Sequence, residues 1–146
     1  MNNSNLIKSI LFVAVFLFSN ISCDKNRFEF PYVPISLNID LVYLNSTIGL
    51  GHHAFLYDEV GVNGLLIFRN HSDEFFVYDR TCTYEPDHSC SVEDDTTSFL
   101  HLSCPCCESQ YFLDETGDAF VTRGPSRYSL YKYNSFFNGG FMRVTN

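Results

Sequence analysis

Cys104-Pro-Cys-Cys-Glu-Ser-Gln-Tyr111, taken together with Cys82-Thr-Tyr84, decides how this chain is read. Five cysteines fall in two short loops. Cys82 and Cys90 lie in the first; Cys104, Cys106 and Cys107 lie in the second. An apolar, strand-like segment, Ser98-Phe-Leu-His-Leu-Ser103, leads into the second loop. Cysteines clustered in facing loops serve a metal centre or a set of disulfides. An odd number leaves one sulfur over in either arrangement.

The segments around the loops are short and rich in Tyr, Phe, Val, Ile and Leu. Gly, Asn and Asp interrupt them, a pattern that favours strands over helices. Ile35-Ser-Leu-Asn-Ile-Asp-Leu-Val-Tyr-Leu44 alternates apolar and polar residues and predicts a strand with one buried face. Gly64–Arg69 and Phe75–Asp79, separated by Asn70-His-Ser-Asp73, predict a hairpin. Gln110–Leu113, Ala119–Thr122, Leu130–Tyr133 and Gly140–Val144 complete the set of expected strands. The expected fold class is all-β, a small barrel or stacked antiparallel sheets with both cysteine loops at one tip. No long amphipathic helix, repeat or low-complexity tract interrupts it.

The N-terminus reads differently. Lys8 precedes the apolar run Ile10–Phe18, which is too short to span a bilayer and suits a secretory signal. Asn20-Ile-Ser-Cys23 then resembles a bacterial lipobox, with Asn20 in place of the usual leucine. That resemblance implies a signal peptide over 1–22, cleavage before Cys23 and a lipid on its sulfur, hence a membrane anchor. Residues 23–30 read as a tether and 31–146 as one domain. Once Lys8 is removed, eight Lys/Arg face seventeen Asp/Glu, a net charge of −9. Such a chain lacks the basic face that nucleic acid requires. Export places the cysteines where thiols pair or bind metal.

Three patterns combine: Cys82-x-aromatic; Cys104-Pro-Cys-x-x-Ser109-x-Tyr111 some twenty residues on; and Gly124-Pro125-Ser-Arg-Tyr-Ser-Leu130. Together they resemble the Rieske iron–sulfur domain. The chain is also similar to divergent Rieske-like lipoproteins of Bacteroidetes. The resemblance covers about Gly64 to Val144. It implies that Cys82 and Cys104 are thiolate ligands of a 2Fe–2S cluster. It implies that the Ser109 hydroxyl hydrogen-bonds a bridging sulfide and that Tyr111 hydrogen-bonds a ligand sulfur. It matches Cys106 to a disulfide cysteine, for which Cys90 is the candidate partner. Two departures stand out: Tyr84 and Cys107 occupy the positions of the ligand histidines. Glu108 stands where the family has glycine. A thiolate at Cys107 adds negative charge and lowers the potential of any cluster.

Three states of the loops follow. In one, Cys82, Cys104 and Cys107, with Cys90 or Tyr84, hold a modified 2Fe–2S cluster, and the chain carries electrons to a redox partner protein. In the second, four thiolates bind a structural zinc. In the third there is no metal, and disulfides Cys90–Cys106 and Cys82–Cys107 leave Cys104 spare. The fold then serves as an interaction or structural module. His88 and His101 lie near the loops but on turn and strand positions that do not favour ligation. His52-His53 reads as a turn entering a strand without acidic neighbours, and Glu93-Asp94-Asp95 as a solvated turn. Phe136-Phe137 reads as core. No Ser-His-Asp order, phosphate loop or His-Glu-x-x-His helix is present, so no catalytic residues are assigned.

Overall fold

A computed structural model describes residues 29–84, 86, 90–96 and 98–146. The expected signal segment, Cys23 and His88 lie outside these residues. The described chain is all-β, with ten strands and one short helix. It forms three antiparallel sheets.

The middle sheet is β2 (His52–Leu56), β3 (Leu65–Arg69) and β4 (Phe75–Asp79). The expected hairpin is present, with Arg69 opposite Phe75. Asn70 holds its turn: its Oδ1 accepts from the Glu74 N–H at 2.8 Å, and its Nδ2 donates to the Glu115 carbonyl at 2.9 Å. Leu65, Leu66, Ile67 and Phe68 are all buried, because both faces of β3 are covered. Leu66 and Phe68 point into one core, while Leu65 and Ile67 point into another.

The second core is closed by β1 (Ser36–Asp40), β10 (Phe141–Thr145) and β9 (Asn134–Asn138), in the order β1-β10-β9. Ile39, Met142 and Val144 fill it. The expected strand Ile35–Leu44 is half right. It stops at Asp40, whose carboxylate accepts from the N–H groups of Val42 (2.7 Å) and Tyr43 (3.3 Å) and caps helix α1 (Leu41–Thr47). The alternation through Leu41 and Leu44 also fits helical spacing, which puts Leu44 into the core. Leu130–Tyr133, expected as a strand, is an extended connection joined to β4 by a Tyr78–Lys132 bridge. Phe136 and Phe137, expected in the core, are 60% and 54% exposed on the edge strand β9.

The first core is closed by β5 (Glu93–Asp94), β6 (His101–Ser103), β7 (Gln110–Leu113) and β8 (Ala119–Arg123), in sequence order. Glu93 and Asp94, expected in a turn, are a two-residue strand. Asp94 Oδ1 lies 2.6 Å from His53 Nε2, so His53 has an acidic neighbour contributed by the other sheet. Near the start of the described residues, Phe30 stacks on Tyr131 with ring centroids 4.4 Å apart.

Candidate metal centre

Topology brings the two cysteine loops to one pole. The first leaves β4 and returns into β5. It is closed by a Thr81–Ser91 bridge and by the Cys82 N–H donating to the Cys90 carbonyl at 2.9 Å. The second joins β6 to β7, closed by the Cys104 N–H donating to the Ser109 carbonyl at 2.8 Å. Glu93, just after the first loop, pairs with Ser103, just before the second. The described cysteines of the two loops therefore face each other.

The sulfurs meet there. Cys90 and Cys106 form a disulfide, while Cys82, Cys104 and Cys107 are free thiols. The three free sulfurs all lie within 4.8 Å of one another. Cys82 Sγ is 3.4 Å from Cys107 Sγ. Cys104 Sγ is 3.5 Å from the bridged Cys90 Sγ. Cys82 and Cys104 are buried, and Cys107 is half-buried.

Two expected roles change. Cys90 is no fourth ligand, because its sulfur is bonded to Cys106. Cys82–Cys107 is not a bond but a close pair of thiols. Tyr84 is 45% exposed and contributes its backbone N–H to the Cys82 sulfur. His101 packs its ring against Phe112, with centroids 5.0 Å apart, and stays out of the sulfur group.

Around the sulfurs sits a buried hydroxyl network. Ser109 Oγ is 3.1 Å from Cys107 Sγ and accepts from the Ser126 N–H at 3.0 Å. The Cys107 thiol donates to Ser109 Oγ; when that sulfur is a thiolate, the Ser109 hydroxyl donates to it instead. Tyr111 OH accepts from the Thr83 N–H at 3.1 Å and lies 3.5 Å from Cys82 Sγ. Thr83 Oγ1 donates to the Tyr128 carbonyl and meets Ser126 Oγ at 2.7 Å and Tyr111 OH at 3.0 Å. Thr83 and Ser126 are site residues that the sequence reading did not single out. Their only signals were position: Thr83 lies between Cys82 and Tyr84, and Ser126 follows Gly124-Pro125.

Gly124 makes that network possible. Its φ is +98°, and a Cβ added there would stand 2.4 Å from the Ser109 Cα. Only glycine allows the β8–β9 connection to lie against the second loop. Glu108 also has a left-handed backbone, with φ at +59°.

Electrostatics separate the thiols. Burial pushes Cys82 up to about 12, against a smaller opposing effect of the Tyr111 hydroxyl. Burial also acts upward on Cys107. Hydrogen bonds from the Ser109 side chain and backbone, with the neighbouring thiols, outweigh it and leave Cys107 below its ordinary value. Burial, then the bond to Cys82, raises Tyr111 to about 12, so it stays a neutral donor.

The donor set tests the cluster that the resemblance implies. A histidine-ligated 2Fe–2S centre needs two imidazoles. The chain has five histidines, and of these only His88 lies outside the described residues. None of the other four joins the sulfur group, so the two-histidine donor set does not fit. The group is compatible with a metal held by thiolates or with a disulfide-stabilised module. No helix among the described residues is long and apolar enough to cross a membrane. No model of a known protein family matches the chain, and no curated protein matches it.

Proposed function

We propose that the chain is an exported, Rieske-like metal-binding module. In it Cys82, Cys104 and Cys107 hold one thiophilic metal ion, and Cys90–Cys106 staples the loops. The observation that carries this is the convergence of three free sulfurs within 4.8 Å. Thiolates around one tetrahedral zinc at about 2.3 Å stand about 3.8 Å apart. The 3.4 Å Cys82–Cys107 pair needs little movement to reach that spacing. Soft sulfur donors select zinc, monovalent copper or iron. A tightly held zinc or copper would lock the loops. Lipid on Cys23 would tie the module to a membrane.

A second reading is a modified 2Fe–2S electron carrier in which Tyr84 adds the fourth ligand. Specific features favour the Rieske likeness behind it. Tyr111 OH lies 3.5 Å from Cys82 Sγ, in keeping with the bond to a ligand sulfur that the resemblance implies. Glu108, at the family's glycine position, has the backbone conformation glycine adopts freely. Gly124 is needed where the Gly-Pro segment meets Ser109.

The test is metal, acid-labile sulfide and visible absorption of anaerobically purified protein, beside Cys107→Ser. One metal per chain without sulfide, lost in the variant, supports the first reading. Two irons with two sulfides supports the second. A metal-free, colourless chain that takes up no metal when reduced contradicts both.

A further inference from the structure

We propose that Cys107 and Cys82 are a peroxide-reactive pair that closes into a reversible disulfide. This deepens the metal reading by using two of the same sulfurs. Its chemistry belongs to the metal-free, reduced chain and stands or falls separately.

Access singles out Cys107. Cys82 and Cys104 are 2% and 1% exposed, whereas Cys107 is half-buried. Cys106 is exposed but already bridged. A small oxidant therefore meets a free sulfur first at Cys107. The free thiol of Cys82 lies 3.4 Å away. Bond formation needs those sulfurs to approach to about 2.05 Å. The loop segment Pro105–Glu108 carries Cys107 at the rim of the first core and is exposed at Pro105, Cys106 and Glu108. The Cys90–Cys106 staple keeps this loop over the first one. Cys104 is the rival partner, within 4.8 Å of both sulfurs and 3.5 Å from bridged Cys90.

The substrate class is a hydroperoxide. The Cys107 sulfur attacks one peroxide oxygen and the O–O bond breaks. The leaving alkoxide or hydroxide takes the Cys107 proton. The peroxide is reduced by two electrons, and Cys107 becomes a sulfenic acid. Ser109 Oγ, 3.1 Å from Cys107 Sγ, is placed to hydrogen-bond that group. The Cys82 sulfur then attacks Cys107 sulfur. The S–O bond breaks, and the hydroxyl leaves as water with the Cys82 proton. One hydroperoxide and two thiols thus give one alcohol or water, one further water and one disulfide. A dithiol reductant returns the pair by exchange. Closure consumes two of the three free thiols, so a metal held there would be released.

The experiment uses the full chain, stripped of metal by chelation under anaerobic conditions with Cys90–Cys106 intact. Hydrogen peroxide is added in equimolar amount. The intact mass should fall by two hydrogens, peptide mapping should find Cys82 bonded to Cys107, and Cys104 should remain alkylatable. Cys82→Ser should halt at a sulfenic acid on Cys107, captured by dimedone. A Cys104–Cys107 bond, or overoxidised Cys107 without any bridge, in the wild-type chain would overturn the proposal, whether or not the variant folds. Bridge formation in a chain that never binds metal would sink the metal reading alone. Failure to bridge in a chain that does bind metal would sink this one alone.

Discussion

At the scale of single residues, the three free thiols differ because their surroundings differ. Cys82 lies in an apolar core with Leu66, Tyr78 and Leu130, which disfavours its charged form. Cys107 faces a hydroxyl and a backbone N–H from Ser109, which favour it. In metal-free protein, alkylation of Cys107 should therefore reach half its maximal rate below pH 9. Cys82 should resist until the pH nears about 12. Residue-resolved mass spectrometry across pH measures both. The sign for stability follows from proton binding. An unfolded chain begins to lose the Cys82 proton near the ordinary thiol value of 9.0, while the folded chain holds it to about 12. Stability of the metal-free fold from this group is thus complete below pH 9 and falls as pH rises through that window. Equal reactivity of the two thiols at every pH would contradict this account of the site. The residue types at these positions were legible in the sequence. Their inequality was not, because it depends on how the fold buries Cys82 and brings the Ser109 hydroxyl and N–H to Cys107.

At the scale of elements, three connections make the site: the two cysteine loops and the Gly124 turn. The last one is tested by Gly124→Ala. The new methyl would meet backbone, not a flexible side-chain end, so Ser109 must move. Overpacking of this kind costs on the order of 2 kcal/mol. A lower urea midpoint and a weaker metal affinity should appear together. An unchanged midpoint would show that the connection does not brace Ser109. The hairpin β3–β4 was readable because its apolar run, turn residues and register are all local. The strand–helix switch at Asp40 was missed because Leu41 and Leu44 satisfy both periods. What decides between them is the Asp40 carboxylate bonding Val42 and Tyr43 N–H groups. The pair His53–Asp94 joins residues forty-one apart on different sheets, and no periodicity announces it.

For the whole molecule, the architecture is a middle sheet whose central strand β3 is buried on both faces, with the cysteine pole built on one outer sheet. The all-β class was legible from strand-length apolar runs cut by turn residues. The layering was not, although Leu65–Phe68 is apolar at four successive positions, as a strand covered on both faces requires. The pole is also a staple. Cys90–Cys106 closes a loop of sequence separation 16, for which chain entropy gives about 3 kcal/mol. Cys90→Ala with Cys106→Ala should lower unfolding stability by about that amount in metal-free protein, measured by equilibrium denaturation. The loss should shrink once metal is bound, since the metal ties the same two loops. An equal loss with and without metal would separate the staple from the site.

The most direct test of the central claim is metal-edge X-ray absorption of the reduced, metal-loaded chain. The account predicts sulfur neighbours from Cys82, Cys104 and Cys107 at about 2.3 Å around a single ion, with no imidazole scattering. A shell of nitrogen or oxygen donors without those sulfurs, or a second metal beside the first, would contradict it.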